Sequence, residues 1–212
     1  HISKIGNGAF SKCTNLTSIT IPATVKYAGS DAFYDTYSLK SIIIEDSDEP
    51  LQLGNSYGGL VNTIQRGAFY FAPLTNIYLG RDIDYIDYDD DSFSPSTWDE
   101  GVFASKHYDD GNLETTLTIG NKVTSLLKWM FCGVRLREVT IPANVKNIAD
   151  EVFYDCRILE YVTCESTDPA ALGDNVFDSC DKFKSILVPS TAVSDYKEAE
   201  NWSSYSSKIV GY

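Results

Sequence analysis

A two-residue step, Ala-Phe or Val-Phe, recurs along this 212-residue chain and constrains its fold more than any other feature. It appears as Ala9-Phe10, Ala32-Phe33, Ala68-Phe69, Val102-Phe103, Val152-Phe153 and Val176-Phe177, and Phe131 occupies the same place in one further repeat. A leucine or phenylalanine trails most of these rings: Leu16, Leu39, Leu74, Leu136, Leu159 and Phe183. Then comes a pair of apolar residues one apart: Ile19 and Ile21, Ile42 and Ile44, Ile77 and Leu79, Leu117 and Ile119, Val139 and Ile141, Val162 and Cys164, Ile186 and Val188. The first two repeats match at a spacing of 23 residues. A fixed period of this length marks supersecondary units that bury their apolar sides only by stacking on one another.

The physics of one unit follows from side-chain direction. In Ile19-Thr20-Ile21, Val139-Thr140-Ile141 and Ile186-Leu187-Val188, two apolar residues share one face of a short strand and the middle residue points away. Pro22, Pro142 and Pro189 follow three of these strands, where a missing N–H and a fixed φ end the strand without breaking an interior ladder bond. A second apolar pair, Val25 with Ala28 or Val145 with Ile148, turns the chain back, and the phenylalanine then fills the interior of the coil. Seven strands at about 4.8 Å spacing make a parallel sheet roughly 30 Å long.

The pattern Ile-x-x-x-Ala-Phe-x-x-Cys-x-x-Leu-x-x-Ile-x-Ile-Pro, which begins at Ile5, closely resembles the BspA-type leucine-rich repeat. The tail, from Val188 through Tyr196 to Trp202, Tyr205, Ile209 and Val210, resembles the segment that ends such arrays. The resemblance implies a right-handed leucine-rich-repeat solenoid: about seven short parallel strands on one face, loops or short helical turns opposite, and a C-terminal helical cap. Residues 1–190 would form the coils and residues 191–212 the cap, with a short helix over 191–200 presenting Val193, Tyr196 and Ala199. It also implies a secreted or outer-surface location in bacteria and a role in adhesion or recognition, with no particular ligand.

Composition excludes several functions. Thirty acidic residues against 17 basic ones give a net charge of -13, which opposes contact with phosphate backbones and removes nucleic acid as a partner. No apolar run approaches the length of a membrane span, so no membrane insertion is expected of this segment. The only histidines are His1 and His107, and the GxSxG, HExxH and glycine-rich phosphate motifs are absent. The chain therefore reads as a non-enzyme with no catalytic residues, no cofactor and no metal site. The five cysteines form no CxxC pair. Cys13, Cys156 and Cys180 share one repeat position, where a small buried side chain is expected, and neighbouring coils would bring Cys156 and Cys180 within disulfide range. Asn15-Leu16-Thr17 and Asn201-Trp202-Ser203 match the glycosylation sequon.

Departures from the period locate candidate contacts. Extra residues fall between Ile44 and Ile64, between Ile86 and Phe103, and before Leu117. The second insertion joins Tyr88, Phe93 and Trp98 to the run Asp87, Asp89, Asp90 and Asp91. Calcium is the ion such a run could take, together with Asp82 and Asp84, but the spacing and distal glutamate of an EF-hand loop are missing, so no specific site is expected. The outward sheet residues are mostly small hydroxyls, which suit a solvated strand; Ile43, Tyr78 and Tyr161 stand out among them. The candidate partner-binding set is thus Ile43, Tyr78, Tyr161, Tyr88, Asp89, Asp90, Asp91 and Trp98. It would recognise a protein or a glycan; the alternative is a structural spacer that displays another domain. Because the chain enters its first repeat within four residues, it is expected to be a piece of a longer precursor.

Overall fold

The computed structural model describes residues 2–54, 68–69, 71–86, 101–103 and 113–212. The described elements begin with β1 (Lys4–Ile5), β2 (Ser18–Ile21), β3 (Tyr27–Ala28), β4 (Ser41–Ile44), β5 (Leu51–Gly54), β6 (Asn76–Leu79) and β7 (Ile83–Ile86). They continue with β8 (Thr116–Ile119), β9 (Ser125–Leu126), β10 (Glu138–Ile141), β11 (Asn147–Ile148), β12 (Tyr161–Cys164), β13 (Ala171–Leu172), β14 (Ser185–Val188), α1 (Val193–Glu198) and β15 (Ile209–Gly211).

Every strand pair is parallel, as stacking requires. The main face is formed by β2-β4-β6-β8 and β10-β12-β14-β15, linked by a single bridge from Thr115 to Leu136. All seven strands expected from the sequence are present. Registry survives the insertions: Ile42 lies opposite Ile77, and Ile77 opposite Leu117. The reason is that a one-residue slip would turn the buried set outward, whereas a lengthened loop costs little.

A second face is more ordered than the loops and turns expected there. The short strands form two parallel ladders, β1-β3-β5-β7 and β9-β11-β13. The end of the second apolar pair, Ala28 or Ile148, thus lies in a sheet of its own, whose strands are two residues long except for β5 and β7. Where the two ladders part, Asp82 stands in for backbone. Its Oδ1 accepts the N–H groups of Thr124 and Ser125 at 2.7 and 3.0 Å, and its Oδ2 accepts the Thr124 hydroxyl at 2.6 Å. Asp82 thus bridges the two ladders through its side chain.

The phenylalanine turns form a third laddered edge. Phe10 N–H donates to Ala32 O at 2.8 Å, Phe131 N–H to Val152 O at 2.9 Å and Phe153 N–H to Val176 O at 3.1 Å. Left-handed residues flank the rings on both sides, such as Asp31 and Asp35 around Phe33, or Glu151 and Asp155 around Phe153, with φ between 56° and 57°. That conformation favours glycine, asparagine and aspartate, and Gly8 and Gly133 take it at φ 62° and 74°.

Seven phenylalanines form one continuous stack inside the coil. From Phe10 to Phe177 through Phe33, Phe69, Phe103, Phe131 and Phe153, successive ring centroids lie 4.9–5.9 Å apart with planes within 16°. The remaining buried aliphatic residues close around this column in a single core. Arg81 is the exception within it. It is fully buried and ties the third coil to the first, donating to Pro22 O at 2.9 Å and Ala23 O at 3.1 Å.

The last coil is covered by residues that imitate the backbone of a further turn. β15 pairs with β14, Ile186 facing Ile209. Asn201 Nδ2 donates to Leu172 O at 2.8 Å, extending the short-strand ladder. The Tyr205 hydroxyl accepts the Phe177 N–H at 3.4 Å, and Lys208 Nζ donates to Phe183 O at 2.7 Å. Trp202 and Tyr196 pack beneath, their polar atoms donating to Ala170 O and Ser166 O at 2.7 and 3.0 Å. The helix is shorter than expected, Val193–Glu198, because a 3-10 turn at Ser190–Ala192 precedes it and Ala199 turns extended. At the other end of the stack, Ile5, Phe10, Leu16 and Ile19 are only partly buried.

The thiols separate by position in the stack. Cys132, Cys156, Cys164 and Cys180 are buried and free, whereas Cys13 is exposed, a correction to the expectation of burial at that repeat position: among the described residues only the second coil packs against the first. Cys156 and Cys180 donate to Phe131 O and Phe153 O, each at 3.2 Å. Burial pushes the Cys164 and Cys180 thiols up to about 12. The folded state therefore keeps protons that the unfolded chain releases near pH ~8.5, and their contribution to stability is lost as pH rises from there toward 12. Titration with an aromatic disulfide at pH 8 should modify one thiol, Cys13, in the native protein and all five after denaturation; rapid native labelling of four or five would contradict the buried core.

Candidate functional site

The outward residues of the main sheet form the surface most open to a partner. Their side chains alternate with the buried ones: in β4, β8, β10 and β12 the second and fourth residues are buried and the third is exposed or half-exposed. Three apolar side chains stand out on this face, Ile43 at 41% exposure, Tyr161 at 36% and Val210 at 43%.

The expected residues do not converge on one spot. Ile43 and Tyr78 are ladder partners, so they lie side by side. Tyr78 is partly spent on structure: its hydroxyl donates to Asp46 Oδ1 at 2.8 Å, and this bond, more than burial, raises its pKa. Tyr161 lies in the other outward column, between Glu138 and Ser185. Tyr88, Asp89, Asp90, Asp91 and Trp98 lie outside the described residues, as do both histidines.

Around Tyr161 the structure assembles charges that sequence reading did not single out. Glu114, Arg137, Glu160 and Lys184 alternate in sign along successive coils. Arg137 Nε donates to Glu114 Oε2 at 3.1 Å and its Nη1 to Glu160 Oε1 at 2.8 Å, and Lys184 pairs with the other oxygen of Glu160. The pairing lowers the pKa of Glu114 and Glu160 and raises that of Arg137 and Lys184. Lys184 Nζ also lies 5.4 Å above the Tyr161 ring. These are exposed pairs, which fix side-chain positions more than they add stability.

Val210 was also missed as a surface residue. It faces Leu187 across the last ladder, so the tail supplies one more strand to the sheet as well as covering the core. The signal was present: Ile209 follows Ile186 by the same 23 residues that separate Phe10 from Phe33.

Elsewhere the chemistry is sparse. Among the described residues, no group of three or more histidine, cysteine, aspartate or glutamate side chains could hold a metal ion. No described helix is long and apolar enough to cross a membrane. The sequons differ: Asn15 is exposed, whereas the Asn201 amide is bound to Leu172 O and to Asp174 Oδ1 at 3.2 Å.

The solved structures similar to the chain include a leucine-rich repeat protein from Bacteroides ovatus, at 20% identity and TM-score 0.41, covering 88% of this chain and 59% of that one. A leucine rich cell surface protein from Faecalibacterium prausnitzii shares 23% identity at TM-score 0.42, covering 91% of this chain and 60% of the other. The chain thus spans about three-fifths of the length of these two proteins. No curated protein matches its sequence. The pattern of the BspA type leucine-rich repeat region matches residues 1–56 and 102–204 in six copies, and the chain belongs to that family.

Proposed function

We propose that this chain is a non-catalytic binding module of a secreted or cell-surface bacterial protein, which recognises a protein or glycan partner through the outward face of its main sheet. The observation that carries the reading is the placement of Ile43, Tyr161 and Val210, all exposed, on a face whose other outward residues are mostly polar. A partly apolar surface beside fixed charges has the make-up of a contact patch, in which an aromatic anchor dominates the energy. Family membership supports the surface location and the adhesive role; the insertion at residues 87–98 is a second candidate contact on its composition alone, Tyr88, Phe93 and Trp98 among carboxylates.

The test is a glycan array and a pull-down from host-cell surface proteins, using the intact chain, Tyr161→Ala, Ile43→Ala, and a variant lacking residues 87–98. Loss of at least tenfold in affinity with Tyr161→Ala is expected, that being about 1.4 kcal/mol. Binding by every variant at the level of the intact chain would reject the sheet face and the insertion as the contact, whereas no binding by the intact chain would leave the spacer reading.

A further inference from the structure

A groove of about 520 Å³ crosses the short-strand face, away from the outward surface of the main sheet. The apolar part of its lining is the half-buried Leu127 and Ala149 and the exposed Ala171, and the carboxylates of Asp84 and Asp150 line it as well. The volume lies within the range of small-ligand sites, about 300–1,000 Å³, and an apolar lining with a few polar groups is their usual construction. Asp150 is held in place, its Oδ1 accepting the Asp174 N–H at 2.9 Å. The cation of the groove, Lys128, lies 4.4 Å over the ring of Trp129.

From this geometry we infer that the groove takes up a lysine or arginine side chain from a protein partner. Such a side chain carries an aliphatic stem and a charged head, matching a lining of apolar groups and carboxylates. The net charge of -13 enriches cationic partners around the whole molecule, and the groove adds the apolar contact that a uniformly charged surface lacks. An acidic peptide would meet two carboxylates, and a neutral apolar one would make no use of their charge.

The probe is the peptide acetyl-Ala-Lys-Leu-Arg-Ala-amide, titrated into the whole chain with the methyl groups of Leu127, Ala149 and Ala171 followed by NMR. Saturable shifts at these methyls are expected, weakened at least tenfold in the double variant Asp84→Asn, Asp150→Asn; asparagine at 150 keeps the acceptor for Asp174. A control pair, Asp181→Asn with Asp195→Asn, removes the same charge from exposed positions outside the groove and should leave affinity unchanged. The inference is overturned by absent methyl shifts, by equal binding of the peptide with both basic residues replaced by norleucine, or by equal weakening in both double variants. Since the groove and the main sheet occupy different faces, neither outcome bears on Tyr161.

Discussion

Phe153→Ala should lower stability by about 3–5 kcal/mol, a drop of roughly 10 °C in the melting midpoint for a chain of this size. Phe153 is fully buried and stacked on both sides, 5.6 Å from Phe131 and 5.9 Å from Phe177. Its loss removes apolar burial and leaves a cavity that close-packed neighbours fill only in part. The same substitution at Phe10, half-exposed and stacked on Phe33 alone, should cost roughly 1 kcal/mol. Coils in a stack are coupled through their nearest neighbours, so a break in mid-column should also broaden the Phe153→Ala transition or split it in two. Calorimetry on both variants checks the claim; equal small losses would mean that the rings do not share one column.

Trp202→Ala should cost a similar 3–5 kcal/mol, although Trp202 lies beyond the last Val-Phe step at Val176-Phe177. It is 1% exposed, packs 5.0 Å from Tyr196 and 6.4 Å from Phe177, and donates to Ala170 O at 2.7 Å. The substitution exposes the underside of the last coil and leaves a buried carbonyl without its donor, which alone is worth about 1–3 kcal/mol. Partial loss of structure should begin at this end, so hydrogen exchange is the discriminating measurement. Amides of β12 and β14 should lose protection before those of β4 and β6; uniform loss would show that the tail does not serve as a local cover. Trp202→Phe keeps most of the burial but not the hydrogen bond, and should fall between wild type and alanine.

Both expectations connect the fold to its surface. The outward columns of the main sheet are in register because the inward residues pack round the phenylalanine stack. Weakening the column should therefore disturb recognition by Tyr161 and Val210 without touching either. A binding assay on Phe153→Ala below its melting transition separates the two effects: affinity returns if the coils remain stacked.

Sequence alone determined the stacking unit, the seven main strands and the inward and outward sides of each, because those follow from side-chain spacing within about five residues. It also determined the family, since Ala-Phe, leucine and the strand pair recur at fixed offsets. Other features depended on which residues the coils bring together from different turns. The short-strand ladders pair only two residues at Lys4–Ile5 or Asn147–Ile148, too few to leave a periodic trace. The charge series from Glu114 to Lys184, the groove under Asp84 and Asp150, and the substitution of Asp82, Asn201 and Tyr205 for missing backbone partners all join residues more than 20 positions apart. Periodicity reports which way a side chain points within its own coil, whereas its neighbours in the next coil are set by register, and register exists only once the coils are stacked.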